Sequence, residues 1–425
     1  MVATFRGLVK ATFWICACIA GISCAGPAAH AQLRPSADKS VALSASPSLG
    51  QALEAAWQRA LQASEASGRV ARARAEQTAS TAWWAAPPSL ELSHGTGRLH
   101  GNRDERETEV GVSVPLWLPG QRQARGQAAQ AELEAAEVGE AAARLEVAGQ
   151  VREAAWAIAA LKAEVASLAS RQRSLKALAS DVDRRVSAGD LARTDSLAAR
   201  AEVLSVEGML AEAGARLQAA EAHWVALTGL GQIANPGEPA AQLSSTAHLD
   251  AHPDLNSAMR KVELARKRLE LVSRSKRSPP EMMAWYRNEK TGSPAPSSNV
   301  VGIGVRLPLS ADDRNLPLMA AASSEYDVAQ AAERSLRERL VAELAAARAG
   351  LAAAQQQFEL ERSRSVMLSE RTRLVAAAFR AGETSLPETL RTYAASTQAE
   401  ASLARQEAAL GLARARLQQA LGHMP

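Results

Sequence analysis

The sequence has few cysteines, few aromatic residues and no long apolar run after its N-terminal region. Its three cysteines, Cys16, Cys18 and Cys24, all lie at the start of the chain, and Phe, Trp and Tyr together make up 4% of its residues. Beyond Cys24 there is therefore no residue for a disulfide, a thiolate metal site or a cysteine nucleophile. A transmembrane helix needs about 20 consecutive apolar residues. No such run follows the N-terminal region, so any membrane contact there would have to involve β-strands.

Motifs for catalysis, cofactors and nucleic acid are also missing. The sequence contains no nucleophile elbow, zinc-protease helix or phosphate-binding loop. No basic patch is interleaved with aromatic residues, as nucleic-acid binding would require. His248 and His252 have the spacing of two ligands on one helical face, but no third ligand is near and Pro253 follows directly. We interpret them as a surface pair, and we predict a protein that is not an enzyme, has no cofactor and binds no nucleic acid.

Residues 1–31 have the features of a secretory signal peptide. Arg6 and Lys10 precede the apolar stretch 11–22, and Ala29-His30-Ala31 offers a cleavage site with small residues at its two key positions. Lipidation of Cys24 is the alternative, although the leucine that usually lies three places upstream is absent. We predict cleavage after Ala31, followed by a flexible segment at 32–47.

The remaining sequence is duplicated. Pro87-Pro88 corresponds to Pro279-Pro280, and the run from Val110 to Leu118 corresponds to the run from Val301 to Leu309. Gly189-Asp190 corresponds to Gly382-Glu383 at nearly the same offset. A near-constant offset indicates one structural unit used twice. We predict a first repeat at 48–229, a linker at 230–249 and a second repeat at 250–422.

Each repeat is predicted to contain long helices of a coiled-coil type. The segment from Gln121 to Val186 has no proline and carries apolar residues every seven positions, as does the segment from Leu318 to Arg380. At about 1.5 Å per residue, the first long helix would extend roughly 100 Å. The helix at Leu49–Ala86 and the one at Leu191–Gly229 would each extend roughly 55–60 Å, so two short helices stacked end to end match one long helix.

Two strands per repeat are predicted between the helices. Alternating apolar and polar residues occur at Ser89–Ser93, Val110–Leu118, Glu281–Lys290 and Val300–Leu309. Aromatic residues lie in or beside them: Trp83, Trp84, Trp117, Trp285 and Tyr286. This pattern suits a barrel wall with one lipid face and aromatic girdles, or else a small soluble hairpin with a packed tryptophan. Four strands cannot close a barrel around water, so a membrane role requires several protomers.

Taken together, the sequence resembles the TolC-like outer-membrane efflux proteins. The resemblance rests on the duplicated unit, the run Gly111-Val112-Ser113-Val114-Pro115 and the hairpin turns at 185–190 and 379–383. It implies a fold that is mainly α with a small β part, built as a homotrimer with a shared twelve-stranded barrel in outer-membrane lipid. It also implies a periplasmic helical tunnel that docks onto an adaptor (membrane fusion) protein, which connects to an inner-membrane pump of the resistance-nodulation-division type.

The same resemblance implies two groups of functional residues. The hairpin tips that would dock the adaptor are Arg185, Gly189 and Asp190 in the first repeat and Arg380, Gly382 and Glu383 in the second. Glycine at the end of a helix adopts left-handed backbone angles at low cost, and we expect Asp190 and Glu383 to begin the following helices. Glu388 and Arg391 are candidates for a gate at the narrow end of the tunnel. Ordinary helix capping and a solvated helix surface are the alternatives for these residues.

The transported substrate is left open by the sequence. The strand segments look similar to those of CzcC-type members that serve heavy-metal efflux, but drugs, other small molecules or secreted polypeptides (a duct for type I secretion) also remain. Outside the family, the competing hypothesis is a soluble periplasmic coiled-coil adaptor or scaffold. Two tandem hairpins with strands between the helices favour the duct.

Overall fold

The structure, a computed structural model, describes residues 46–96, 105–237, 249–291, 296–309 and 312–425. The predicted signal peptide at 1–31, Cys24, the first 14 residues of the segment 32–47, His248 and most of the linker at 230–249 lie outside the described residues. The described chain is mainly helical with one small sheet, which confirms the predicted fold class.

The two repeats contain the same series of elements. Each has a helical segment, two strands, a long helix and a shorter helix, and a single 3-10 turn at Leu249–Ala251 precedes the second series. In the first repeat these are α1 (Leu49–Arg59), α2 (Leu61–Ser80), β1 (Ser89–Thr96), β2 (Glu105–Pro115), α3 (Gln121–Ala188) and α4 (Arg193–Thr228). In the second they are α5 (Pro253–Arg274), β3 (Glu281–Thr291), β4 (Ser298–Arg306), α6 (Asp312–Arg380) and α7 (Leu386–Ala420).

The long helices α3 and α6 have 68 and 69 residues. Each extends about 100 Å at the usual rise per residue. Helix α3 buries the predicted seven-residue series at Val147, Leu168, Leu175 and Val182, while Leu161 is half-buried. Its neighbours are α1, α2, α4, α5 and α7, so α3 is the central helix of the bundle.

The predicted single helix at Leu49–Ala86 was wrong in two respects. Ala60 has extended backbone angles (φ −69°, ψ 138°), which break the segment into α1 and α2. Helix α2 also ends at Ser80, and just beyond it the side chains of Trp117 and Arg122 donate hydrogen bonds to the carbonyls of Ala82 (3.2 Å) and Thr81 (2.7 Å). These donors satisfy carbonyls that have no partner at a helix end.

The main apolar core lies where α1 packs against α3 and α4. Trp224 is fully buried there, and its indole N–H donates to the carbonyl of Gln232 at 3.1 Å. Leu53, Trp57 and Val151 pack in the same cluster. Burial of an indole with its N–H satisfied contributes a large apolar area without a polar penalty, so this core fixes α1 against the long hairpin.

His252 is buried, which makes the predicted surface histidine pair wrong. Its ring Nδ1 accepts a hydrogen bond from the backbone N–H of Asp254 at 3.2 Å, so His252 caps the N-terminus of α5. Pro253 at the first helical position suits this role, since a proline there loses no helical hydrogen bond.

The four strands form one antiparallel sheet in the order β1-β2-β3-β4. The ring of Trp285 on β3 lies over Gly302 and Gly304 of β4, where a Cβ at Gly302 would overlap the ring. These glycines thus make room for an indole.

Within the described ranges, none of the helices combines the length and the apolar character that a membrane-spanning helix requires.

Candidate functional site

The hairpin tips are formed by two turns of the same geometry. Gly189 has φ +88° and Gly382 has φ +81°, both in the left-handed region that glycine adopts without steric cost. The backbone N–H of the next residue reaches back to a carbonyl of the last helical turn: Asp190 to Arg185 and Glu383 to Ala378, each at 2.9 Å. This is the Schellman arrangement, which ends a helix sharply and reverses the chain.

The expectation that Asp190 and Glu383 begin the following helices was wrong. Helices α4 and α7 begin at Arg193 and Leu386. Their first-turn carboxylates are Asp195 and Glu388, because the chain needs a few extended residues after each turn before it enters the next helix. Asp190 and Glu383 instead lie exposed in the turns, together with Gly189, Arg380 and Gly382.

Arg185 connects the two tips within one protomer. Its guanidinium donates hydrogen bonds to the carbonyls of Phe379 (3.2 Å) and Arg380 (3.3 Å), which end helix α6. The same group lies 4.8 Å from the centre of the Phe379 ring. A cation at the carbonyl end of a helix is stabilised by the helix dipole, and a guanidinium over an aromatic face adds a cation–π interaction. We call these contacts the Arg185 latch.

An apolar cluster lies behind the latch. Val182, Phe379 and Leu386 are buried in this cluster, and the four tip helices α3, α4, α6 and α7 all contribute residues to it. Its buried members are Ala179, Val182, Ala199, Phe379 and Leu386. The two hairpins therefore share one small core at the tip.

Asp183 joins α3 to α4 just behind the first turn. Its carboxylate accepts from the hydroxyl of Ser196 (2.6 Å) and from Arg200 (2.9 Å). These two hydrogen bonds, the Ser196 bond first, lower the pKa of the Asp183 carboxyl. The lowered pKa favours the ionised carboxylate, which is the form that accepts both hydrogen bonds.

Glu388 forms the centre of an ion-paired group on the second hairpin. Its two carboxylate oxygens accept from Arg371 on α6 (2.9 Å) and from Arg391 on α7 (3.0 Å). The structure thus brings the two predicted gate residues, Glu388 and Arg391, together. A single salt bridge at an exposed position contributes little stability. The two arginines are therefore better suited to fix the orientation of the Glu388 carboxylate than to stabilise the fold.

Sequence reasoning missed Arg371, Asp183 and the pairing of Arg185 with the second tip. The turn gave no signal for Arg371, because Arg371 lies 11 residues before Gly382 and Glu388 only 6 residues after it, so equal distance from the turn does not pair them. The Arg185 contact had no signal either, because it joins two repeats and depends on their packing.

The sheet is the second feature of functional interest. One of its faces carries an apolar band of three cross-strand rows, which is exposed except for half-buried Val114. The band consists of Leu90, Leu92, Val110, Val112, Val114, Met282, Ala284, Tyr286, Val301, Ile303 and Val305. Ile303 is 84% exposed and Leu90 is 72% exposed. The opposite face carries Glu107 and Glu109, both paired with Arg287.

Among the residues that the structure describes, no group of three or more His, Cys, Asp or Glu side chains is placed to hold a metal ion. The arrangement offers long helical hairpins, a shared tip and an apolar sheet face. These are features of a conduit or scaffold.

The comparison with known proteins decides the family. The sequence profile of the family described as outer membrane efflux protein matches residues 49–230 and 249–423. The chain belongs to this family. The predicted resemblance to TolC-like proteins is thereby confirmed, as is the prediction that this outer membrane efflux protein is not an enzyme and lies in the outer membrane. This location excludes the soluble periplasmic adaptor or scaffold.

Individual relatives agree with the family. The cobalt-zinc-cadmium resistance protein CzcC of Cupriavidus metallidurans is 30% identical over 239 residues, which cover 54% of this chain and 56% of that protein. The match therefore spans little more than half the length of the curated relative.

Solved structures show the same fold. The outer membrane protein VceC of Vibrio cholerae matches with a TM-score of 0.72 and 17% identity, over 88% of this chain and 96% of that chain. The open state of the MtrE outer membrane channel of Neisseria gonorrhoeae matches with a TM-score of 0.71 and 16% identity, over 89% of this chain and 90% of that chain.

Proposed function

We propose that this outer membrane efflux protein is a homotrimeric exit duct of a tripartite efflux system. It passively conducts substrates that an inner-membrane pump of the resistance-nodulation-division type delivers through a periplasmic adaptor. Each repeat, 48–229 and 250–422, supplies one strand pair to the membrane part and one helical hairpin to the periplasmic part, with 230–249 as the linker.

The observation that carries the proposal is an exposed apolar sheet face bounded by two open edges. Strands β1 and β4 each have a sheet neighbour on one side only within the described protomer. Four strands are too few to enclose water. Head-to-tail pairing of β1 of one copy with β4 of the next closes a ring of three, in which twelve strands have no free edge. The apolar band then faces lipid.

The hairpin tips are the proposed docking site for the adaptor. Gly189, Asp190, Arg380, Gly382 and Glu383 are exposed, and among the described residues no atom beyond the immediate chain neighbours lies within 4 Å of a Cβ built on either glycine. Arg185 has a different role in this proposal, because its guanidinium is engaged by the Arg185 latch. Arg185 fixes the distance between the two tips, so that the adaptor contacts both tips in one arrangement.

Glu388 is the proposed gate residue. Three copies around one axis would focus a negative potential that attracts cations to the tunnel end once each carboxylate is released from its two arginines. Arg391 and Arg371 hold each carboxylate in place. Glu388→Gln should reduce the cation selectivity of single channels in planar bilayers, and unchanged selectivity would contradict the gate assignment.

Divalent metal cations are the proposed substrates. The supporting observations are the relative named for cobalt, zinc and cadmium resistance and the acidic inner face of the sheet at Glu107 and Glu109. A strain that lacks its own duct and expresses this chain should regain growth on zinc, cobalt or cadmium. Rescue of growth on drugs only, or of polypeptide secretion only, would overturn the metal assignment.

The test of the duct itself is the detergent-corrected mass of the processed protein extracted from outer membranes. A trimer is the expected result. A monomer in the periplasmic fraction would overturn the proposal, and a trimer that conducts no ions in planar bilayers would overturn the channel role.

A further inference from the structure

Two cations face each other at the far end of the apolar sheet face. Arg106 on β2 and Lys290 on β3 are direct cross-strand partners, and both are exposed. Directly opposed side chains have Cβ atoms about 5 Å apart, and like charges at that distance repel. Such a pair is favourable when an anion lies between its two members.

The alternation of the strands places this pair on the lipid side. Arg106 is on the same face as Val110 and Val112, and Lys290 is on the same face as Tyr286. Between the apolar band and the cations lies one row of polar residues: His94, Thr108, Asn288 and Asn299. From Val114 to Arg106 the strand runs about 27 Å along its own axis, which at a tilt of about 40° is about 20 Å of height and places the cations near one edge of an apolar band about 25 Å tall.

The pair lies at the end of the sheet away from the helices. All the helices connect to the opposite ends of the strands, whereas β1–β2 and β3–β4 join by hairpins at this end. With the helices in the periplasm, Arg106 and Lys290 lie at the level of the outer leaflet head groups.

No carboxylate in the described ranges forms a salt bridge with either cation. The acidic residues at nearby positions of these strands, Glu105, Glu107, Glu109 and Glu289, alternate to the opposite face by their register. Arg287 pairs there with Glu107 and Glu109. Within the part of the chain that the structure describes, the positive charge on the lipid side therefore has no carboxylate partner and can take an external anion.

We propose that Arg106 and Lys290 bind the phosphate groups of outer-leaflet lipid head groups. This inference rests on the proposed insertion of the sheet into the outer membrane. A phosphorylated lipid satisfies both parts of the surface, because its phosphate pairs with the cations while its acyl chains cover the apolar band two rows away. A guanidinium contacts a phosphate through two parallel hydrogen bonds, and the ammonium adds a second charge.

The experiment is native mass spectrometry of the full processed protein, purified from outer membranes in detergent and titrated with lipid. The probes are diphosphorylated lipid A and its dephosphorylated counterpart. The test variant is R106Q/K290Q. The matched control is R334Q/R348Q, which removes the same charge from exposed positions on α6 where neither arginine has a salt bridge in the described chain.

The wild type and the control should bind the diphosphorylated lipid more tightly than the dephosphorylated one. R106Q/K290Q should lose roughly 30-fold in affinity for the phosphorylated lipid, if each cation near a membrane surface contributes about the usual amount. Its affinity for the dephosphorylated lipid should not change.

An equal loss of affinity in the control variant, or a wild type that does not prefer the phosphorylated lipid, would overturn the inference. If the wild type is then still a trimer in the outer membrane, the proposed duct is unaffected. Displacement of the phosphorylated lipid by millimolar inorganic phosphate would also overturn it, because the site would then recognise the free anion. A wild type that is neither trimeric nor in the outer membrane would overturn the duct and this inference together.

Discussion

Removal of the Arg185 guanidinium should open the tip of the bundle without unfolding the rest. In Arg185→Gln the carbonyls of Phe379 and Arg380 lose two charged donors, and the Phe379 ring loses the cation above it. The Arg185 side chain is 25% exposed, so solvent screens part of these interactions.

The magnitude follows from those contacts. Hydrogen bonds from a charged group contribute about 1.5–3 kcal/mol when buried, and a cation–π contact adds about 0.5–1 kcal/mol. With allowance for screening and for water that replaces the lost donors, we expect the tip to lose about 2 kcal/mol of local stability. This corresponds to a roughly 30-fold rise in the open population at the tip.

Native-state hydrogen exchange measures that population directly. Amides in the last turns of α3 and α6 should exchange roughly 30-fold faster in Arg185→Gln, while amides around Trp224 should not change. Arg380→Gln is the matched control, because among the described residues the Arg380 guanidinium donates only to the carbonyl of Ala376 in its own helix. Equal acceleration in both variants, or none in Arg185→Gln, would refute the latch.

Three further outcomes are expected. Gly382→Ala should cost about 1–2 kcal/mol, because a Cβ is strained at φ +81° although space is free around it; thermal unfolding checks this, and no loss would contradict the turn assignment. Ile303→Lys should cost about 2–4 kcal/mol of membrane stability, whereas Ser93→Lys on the opposite face should be tolerated; comparable trimer yields from outer membranes would argue against the lipid-facing assignment. Burial raises the pKa of the Glu132 carboxyl, but hydrogen bonds from Arg72 and Arg268 outweigh it, so the folded pKa lies below the ordinary value of 4.5. The stabilising contribution of the Glu132 carboxylate is present above that value and is lost as the pH falls through the folded pKa. Glu132→Gln should therefore reduce the loss of stability between neutral and acidic pH, as measured by thermal unfolding. An unchanged dependence of stability on pH would contradict this assignment.

The sequence predicted the elements well because their signals are local and repeated. The seven-residue apolar series in α3 and the positive-φ glycines at 189 and 382 depend on nearby residues only. The break at Ala60 was missed, since alanine favours helix and the break follows from packing of α1 on α3 and α4. The burial of His252 was missed for a similar reason, because it depends on the C-terminal end of the chain packing beside it. Gly422 lies so close to His252 that a Cβ at this glycine would overlap the histidine ring.

The candidate site was predictable in its residues but less so in its contacts. Gly189, Gly382, Glu388 and Arg391 follow from the turn pattern and the family resemblance. The start of α4 and α7 three residues beyond Asp190 and Glu383 was not predicted, because the length of an extended entry segment leaves no periodic signal.

The duplication has an unequal result at the tips. Where the first repeat carries Arg185, the second carries Ala378, and the acceptors that Arg185 contacts are main-chain carbonyls. A side-chain substitution in the second repeat cannot delete those carbonyls, whereas a single codon change in the first repeat removes the donor. The hydrogen-bonding part of the contact between the two copies thus depends on a side chain of the first repeat alone, whereas the second repeat contributes the Phe379 ring beneath the guanidinium.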